Sequence, residues 1–374
     1  MSTPEQLTAL RGQIDEIDQQ LVPLFRRRME IAEKVAHIKQ GSNTAIIDPD
    51  REAVVVKRAV QLAGSGLEGE TALLMRSLIA LARERQRRVL YSADTPLLPA
   101  PRPPVSGPVS CIYQGIPGSW SEQAAHHLFP GAPLAPVRQF EDVFLGVKRG
   151  ESPYGVVAIE NSQTGAIGET YDLLRKYGCY IVGRTWVDIR QCLLAPKGTA
   201  LSDIREVLSH PEGFRQCSRY LNGRAWDLTA CRNTAVAAQK VAELQNGRTA
   251  AIGSRRAAEL HGLEVLAEDI MDSAANRTSF VVIASAPEYN EDSDLISLTF
   301  STQHRSGALC ETLLPFLAAE LDLLRIESRP AGAGQYRFFV EIDGSILDAS
   351  TADALRQASA SCEYFEVIGC YRNT

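Results

Sequence analysis

The chain has 374 residues, 45% of them hydrophobic and 22% charged, and 39 Lys and Arg face 45 Asp and Glu for a net charge of −6. That length is too great for one core and implies two or three domains. The composition is that of a soluble globular protein. No apolar run is long enough to span a bilayer, and the acidic balance argues against a nucleic-acid partner.

Apolar residues recur at Leu7, Leu10, Ile14, Ile17, Leu21 and Leu24, then at Ile31, Val35 and Ile38. Steps of three and four residues are the heptad seam of a long helix, and Pro23 predicts a kink in it. Arg28 occupies a seam position, where a guanidinium must be paired. Lys39 returns to nearly the same face, roughly 16 Å further along at 1.5 Å per residue. Two long side chains leaning inward there leave room for a small anion. Asp48 reads as an N-cap and Pro49 as the first residue of a second helix, which delivers Arg51 and Glu52 from its first turn. Arg11, Arg28, Lys39 and Arg51 can then meet over one carboxylate-rich ligand, with Glu52 left to hold a hydroxyl. The competing reading is an ordinary coiled coil with one Arg–Glu pair across its seam. A third helix runs from about residue 70 to 90, with Leu74, Met75, Leu78, Ile79 and Ala82 as its apolar face and residues 83–88 as a charged, solvated continuation.

Arg11, Arg28, Lys39, Asp48-x-x-Arg51-Glu52 and Gln86, in this order and spacing, resemble the all-helical chorismate mutase domain across residues 1–90. The resemblance implies two chains interlocking three-helix subunits, with Arg11 reaching into the partner's site. It also implies that Arg11 and Arg28 grip the substrate carboxylates. Lys39 and Gln86 would donate to the ether oxygen, and Asp48 and Glu52 would position the ring hydroxyl. Ala82 stands where relatives often carry serine, so one minor polar contact is expected to be missing.

Six prolines between residues 91 and 108 mark a semi-extended linker and a domain boundary. From Val109 the pattern becomes α/β, with short strands at 109–113, 156–159, 207–209, 250–252 and 280–284 and helices between them. Several polar turns lead into helix N-termini: residues 115–121, His210-Pro211 and Asn233-Thr234. Such ends bind anions, or are merely capped by their own Ser, Asn and Thr. Gly-x-x-Gly-Ser-Trp-Ser, Ile-Glu-Asn-Ser, Ser-His-Pro…Gln-Cys, Asn-Thr-Ala-x-Ala-Ala and Asn-Arg-Thr-Ser-Phe together resemble prephenate dehydratase over residues 109–286. That resemblance implies two α/β subdomains with the active site between them. Ser119, Ser121, Asn161, Ser162, His210, Gln216, Asn233, Thr234, Asn276 and Arg277 would bind substrate there. Removing hydroxide from prephenate requires a proton donor. Three sources stay open: Glu160 with its pKa raised by burial, a water held by Thr278, and Thr278 itself. Relatives usually read Thr-Arg-Phe where this chain has Thr278-Ser279-Phe280, which puts a carboxylate anchor in question. Arg277 is the candidate replacement, although adjacent strand residues face opposite ways.

Residues 287–294 form a polar hinge. Beyond it the order is strand 295–301, helix 308–320, strands 323–329 and 335–342, helix 350–360 and strand 364–370, a βαββαβ series of the ferredoxin-like type. Gly307-Ala308-Leu309 and Glu327-Ser328-Arg329-Pro330 resemble the phenylalanine-binding motifs of ACT regulatory domains, over residues 294–374. Phenylalanine as a feedback inhibitor is what this implies; a dimerisation module without ligand is the alternative.

Eight cysteines at 111, 179, 192, 217, 231, 310, 362 and 370 include no C-x-x-C and no Cys/His cluster at zinc-ligand spacing. The chain opens on an acidic amphipathic helix, not a secretory leader, so reduced thiols in the cytoplasm are expected. Taken together, the chain resembles a bifunctional chorismate mutase/prephenate dehydratase, a homodimer or higher oligomer acting on chorismate and prephenate without metal or cofactor. Two rival readings compete. One is arogenate dehydratase chemistry in the second domain, against which a prephenate-making domain in the same chain argues. The other is a non-catalytic small-molecule sensor, for which Ser279 is the best argument.

Overall fold

The computed structural model describes residues 3–42, 46–90, 96–103, 105, 109–332 and 334–373. Three helices come first: α1 Thr3–Ser42, α2 Pro49–Ala63 and α3 Glu68–Leu90. The helical assignment of α1 continues through Pro23. Small residues carry the internal packing here, with Ala32 and Ala36 of α1 and Ala80 and Ala82 of α3 all buried. The heptad seam is elsewhere on the helix: Leu10, Ile17 and Leu24 stay 56%, 62% and 64% exposed. The spacing thus identifies the helix, but the chain folds on a different face of it.

The central region comprises β1 Cys111–Gln114, α4 Trp120–Leu128, β2 Leu134–Val137, α5 Phe140–Lys148, β3 Tyr154–Asn161, β4 Gly165–Ala166, α6 Gly168–Tyr177 and β5 Tyr180–Asp188. There follow β6 Cys192–Ala195, β7 Glu206–Ser209, α7 Pro211–Gln216, α8 Ser218–Leu221, β8 Asp227–Ala230, α9 Thr234–Leu244, β9 Thr249–Gly253, α10 Arg255–His261, β10 Glu264–Ala267 and β11 Arg277–Ala284. Two lobes result. The first holds β2, β1, β3, β11 and β5 side by side, and the second is a five-stranded sheet in the order β10-β6-β9-β7-β8. The chain crosses between lobes twice, after β5 and before β11, so residues near both crossings face the cleft between them. Parallel pairing at β1–β2, β1–β3, β7–β8 and β7–β9 leaves strand ends and helix starts at one edge, the usual place for a ligand in such sheets.

The last unit is β12 Leu295–Ser301, α11 Ala308–Ala318, β13 Leu323–Pro330, β14 Tyr336–Asp343, α12 Ala349–Ala360 and β15 Tyr364–Tyr371. Its sheet, β13-β14-β12-β15, is antiparallel and continues into the first lobe where β15 lies beside β5. Gly369 permits that approach, because a Cβ there would run into the Ile181 carbonyl oxygen. The last unit is thus joined to the first lobe through the sheet as well as through the polar hinge. The hinge itself is tied down: Glu288 accepts from Arg102 Nε at 2.6 Å and from the Tyr154 hydroxyl at 2.9 Å. Leu98 of the linker is buried in the core of the last unit. All eight cysteines are unpaired. Among the described residues no helix is long and apolar enough to cross a membrane.

Candidate active sites

The interlobe cleft is a cavity of about 320 Å³. Two helices of useful length start at its edge. Ser119 caps α4, accepting from the Glu122 N–H at 3.3 Å, and Asn233 caps α9, accepting from the Val236 N–H at 2.7 Å. Each capping bond is worth about 1 kcal/mol and leaves other N–H groups of the first turn for an anion. His210 caps the short α7 through Nδ1, at 3.1 Å from the Glu212 N–H. Ser121, Gln216 and Thr234 also line the cleft.

The end of β3 is fixed by a β-bulge. Asn161 is opposite Thr278 and Glu160 opposite Ser279, but Phe280 is opposite Ala158, so Ile159 is an extra residue. Simple alternation would put Glu160 on the side of Ala158, in the cleft. The bulge reverses that and turns Asn161 inward instead. The Asn161 carbonyl oxygen accepts from the Gln163 and Thr164 N–H groups at 3.0 and 3.2 Å, which leaves no ambiguity about its amide. Its Nδ2 donates to Thr278 Oγ1 at 3.0 Å and to Asn276 Oδ1 at 2.9 Å. With Thr278 Oγ1 already accepting, its hydrogen is free to donate into the cleft.

Four expectations are corrected here. Glu160 lies on the opposite face of the sheet, paired with Arg325 at 3.0 Å and with Arg184 at 3.7 Å, so it cannot serve as the cleft's acid. Ser279, fully buried on that same far face, receives a hydrogen bond from Arg184 Nε at 2.8 Å. Its identity therefore bears on the buried ion network rather than on substrate, and Arg184 supplies a guanidinium there. Arg277 shares that face, stacked on Trp186 at 4.4 Å, and does not compensate for a lost anchor in the cleft. Ser162 also stays out of the cleft; its Oγ donates to the Ala275 carbonyl and accepts from the Arg277 N–H, clamping the Asn276 turn.

Sequence reading missed Gln191, Glu212 and Arg232, all lining the cleft. Gln191, 2% exposed, donates through Nε2 to Gln216 Oε1 at 3.3 Å, and Gln216 in turn donates to Glu212 at 3.2 Å. Gln191 follows the first lobe crossing in an irregular stretch, where no periodicity could single it out.

In the helical domain, Arg28 of α1 and Glu52 of α2 both reach α3. Arg28 Nη1 donates to the Leu78 carbonyl at 2.6 Å, and burial draws its pKa below the ordinary value. Lys39 donates to the Ile46 carbonyl at 2.7 Å. Asp48 caps α2 on the Arg51 N–H at 3.0 Å, and Glu52 reaches Arg83 of α3. Gln86, one turn on from Ala82 and Arg83, is 9% exposed with its carbonyl oxygen buried and unpartnered. Arg11 is exposed on the outer half of α1.

A separate cavity, about 220 Å³, opens at the start of α11 beside Gly307, Ala308 and Leu309. Gly307 has φ of 80°, the left-handed region that suits glycine. The segment Glu327, Ser328, Arg329 and Pro330 does not line it. Arg329 instead faces α6, 3.6 Å from Asp172, which corrects the idea that both motifs close one cavity within a chain.

The chain matches the family Chorismate mutase type II over residues 10–87 and the family Prephenate dehydratase over residues 111–288. It is 31% identical over 383 residues to the bifunctional chorismate mutase/prephenate dehydratase of Escherichia coli (strain K12), spanning 99% of this chain and 97% of that one. It is 34% identical over 299 residues to arogenate dehydratase/prephenate dehydratase 2, chloroplastic, of Arabidopsis thaliana, covering 74% and 78% of the two chains. The structure of prephenate dehydratase in complex with L-Phe from Arthrobacter aurescens superposes with a TM-score of 0.66 at 28% identity, over 71% of this chain and 90% of that one. Similarity along its whole length to a protein carrying both domains, in the same order, places this chain in the bifunctional chorismate mutase/prephenate dehydratase family.

Proposed function

We propose that the chain catalyses two consecutive steps of phenylalanine biosynthesis in the cytoplasm: chorismate to prephenate, then prephenate to phenylpyruvate, carbon dioxide and water. Residues 1–90 form the mutase, 91–108 the linker, 109–286 the dehydratase and 294–374 a ferredoxin-like ACT domain. The rearrangement needs a site that holds a dicarboxylate folded and stabilises charge growing on the ether oxygen. Arg28, Arg51 and a partner copy's Arg11 grip the carboxylates. Lys39 and Gln86 face the ether oxygen, and Asp48 and Glu52 hold the hydroxyl. The uncovered seam of α1 supports a homo-oligomer, since each such side chain gains about 1.5–3 kcal/mol when buried.

The observation that carries the dehydratase reading is the Asn161–Thr278 pair inside the cleft. As the ring carboxylate leaves as carbon dioxide, its electrons aromatise the ring and expel the hydroxyl. Thr278 hydrogen-bonds the departing oxygen, directly or through a water it holds, and the proton comes ultimately from solvent because an alcohol is too weak an acid. Helix starts at Ser119 and Asn233, with Arg232 at the rim, suit the remaining carboxylate. The test is to supply chorismate and follow prephenate and phenylpyruvate separately, with arogenate as a parallel substrate. Prephenate that accumulates without phenylpyruvate would defeat the dehydratase reading, and faster turnover of arogenate would reassign it.

Gln86→Glu is expected to move mutase activity strongly toward acid pH. Glutamine donates at any ordinary pH, whereas glutamate donates only when protonated. That occurs near about pH 4.3, or higher where burial raises the pKa. Activity in the variant should therefore rise as pH falls; a flat profile would remove Gln86 from the ether oxygen.

Phenylalanine in the cavity beside Gly307 is expected to inhibit the dehydratase more than the mutase. The last unit meets β3 directly, through Arg325 on Glu160, one residue before Asn161. Inhibition requires tighter binding to the less active arrangement. A valine at 307 meets a left-handed backbone costing about 1–2 kcal/mol. Gly307→Val should raise the phenylalanine concentration needed to inhibit. If calorimetry detects no binding of phenylalanine to the unmodified protein, the regulatory reading fails.

A further inference from the structure

Arg83 belongs to the stretch expected to be a solvated helix face, yet it is 7% exposed. Its guanidinium joins carboxylates from two domains. Nε donates to Glu52 Oε1 at 2.8 Å and Nη2 to Glu52 Oε2, while Nη1 donates to Glu311 Oε1 of α11 at 2.6 Å. Arg305 holds Glu311 from the other side, at 2.9 and 2.5 Å. Burial alone would raise the Glu311 pKa, but the hydrogen bond from Arg305 and the charges of Arg83 and Arg305 outweigh it and hold that carboxyl below its ordinary value. Charge alternates along Arg305–Glu311–Arg83–Glu52, and the planar fork of Arg83 is occupied along both edges. Take away Glu311 and one arm of a buried guanidinium is left unpaired. It then has reason to rotate off Glu52.

We propose that Arg83 is a positioning residue for the mutase reaction and that the C-terminal domain, through Glu311, holds it in place. The C-terminal domain docked on α3 thereby tunes the mutase site through one ion pair. This rests on the reading of Glu52 as the group that holds the ring hydroxyl of chorismate. A hydroxyl held alike in ground and transition state acts mainly on KM, so the expected signature is a KM effect.

The experiment uses the full chain with chorismate as substrate. Arg83→Met should raise mutase KM about tenfold, and Glu311→Ala about threefold, within the range of coupling between contacting residues. Arg83→Lys, which keeps the charge and loses the fork, should fall between Arg83→Met and the unmodified chain. Dehydration of added prephenate should be unchanged in Glu311→Ala, which also reports that the variant is folded. Because Glu311 acts only through Arg83, its effect should vanish in the Arg83→Met background, whereas general loosening would add. Glu311→Gln keeps the shape and one acceptor oxygen, and should give a smaller shift in the same direction. Unchanged mutase KM in both Glu311 variants, or full additivity in the double variant, overturns the proposal. Unchanged mutase activity in Glu52→Ala overturns the Glu52 reading itself, and the proposal with it, by a route the Glu311 variants do not share.

Discussion

Arg28→Ala is expected to cut mutase turnover by about 10³-fold or more, while dehydration of added prephenate should stay largely intact. The expected size follows from the role proposed for Arg28, a charged donor on the substrate dicarboxylate, since loss of a single donor to developing charge already costs about 10²–10³. Arg28 interrupts an apolar seam and is drawn down in pKa by burial, so packing alone does not account for it. It also ties α1 to α3 through the Leu78 carbonyl, and a hydrogen bond from a charged donor contributes about 1.5–3 kcal/mol. A melting curve must therefore accompany the assay. Arg28→Lys separates the roles, keeping the charge but not the fork. Both activities lost equally in a folded Arg28→Ala protein would show that the sites are not independent. The coupling proposed at Arg83 would enter the mutase from the C-terminal domain, not from the interlobe cleft.

Much of this architecture was legible in the sequence because period and punctuation carry it. The strand expected at 295–301 is β12 to the residue, and Asn233-Thr234 caps a helix as read. What periodicity cannot supply is which way a face points once a strand is irregular. Glu160, at the end of a buried strand, is one of three candidate proton sources by sequence; one extra residue, Ile159, reverses the parity and sends it to the Arg184–Arg325 side. Ser279 was the strongest argument for a non-catalytic protein, and the same geometry disarms it, since position 279 never faces the cleft. The heptad seam shows a third limit. Spacing reveals that a helix has an apolar stripe, but α1 packs internally through Ala32 and Ala36 and leaves the stripe to whatever lies outside the chain.

Thr278→Ala is the corresponding experiment on the second site. It should cut phenylpyruvate formation by about 10²–10³, the usual effect of deleting one donor aimed at developing charge, and spare the mutase. The donors at this site are fixed in series. Two backbone N–H groups lock the Asn161 carbonyl, Asn161 Nδ2 then fills the acceptor side of Thr278, and the Thr278 hydrogen is left to face the cleft. Alanine breaks two links at once, because it removes that hydrogen and strips Asn161 Nδ2 of one acceptor. The second effect costs about 1–3 kcal/mol of stability where the donor is buried, partly offset here by Asn276 Oδ1. Thr278→Val keeps the branched shape that a strand favours and removes only the hydroxyl, so it should match alanine in turnover while disturbing packing less. Thr278→Ser restores the hydroxyl and should recover most of the rate. A valine variant that turns over prephenate like the unmodified protein would take Thr278 out of the chemistry. The departing oxygen would then be met by another donor of the cleft.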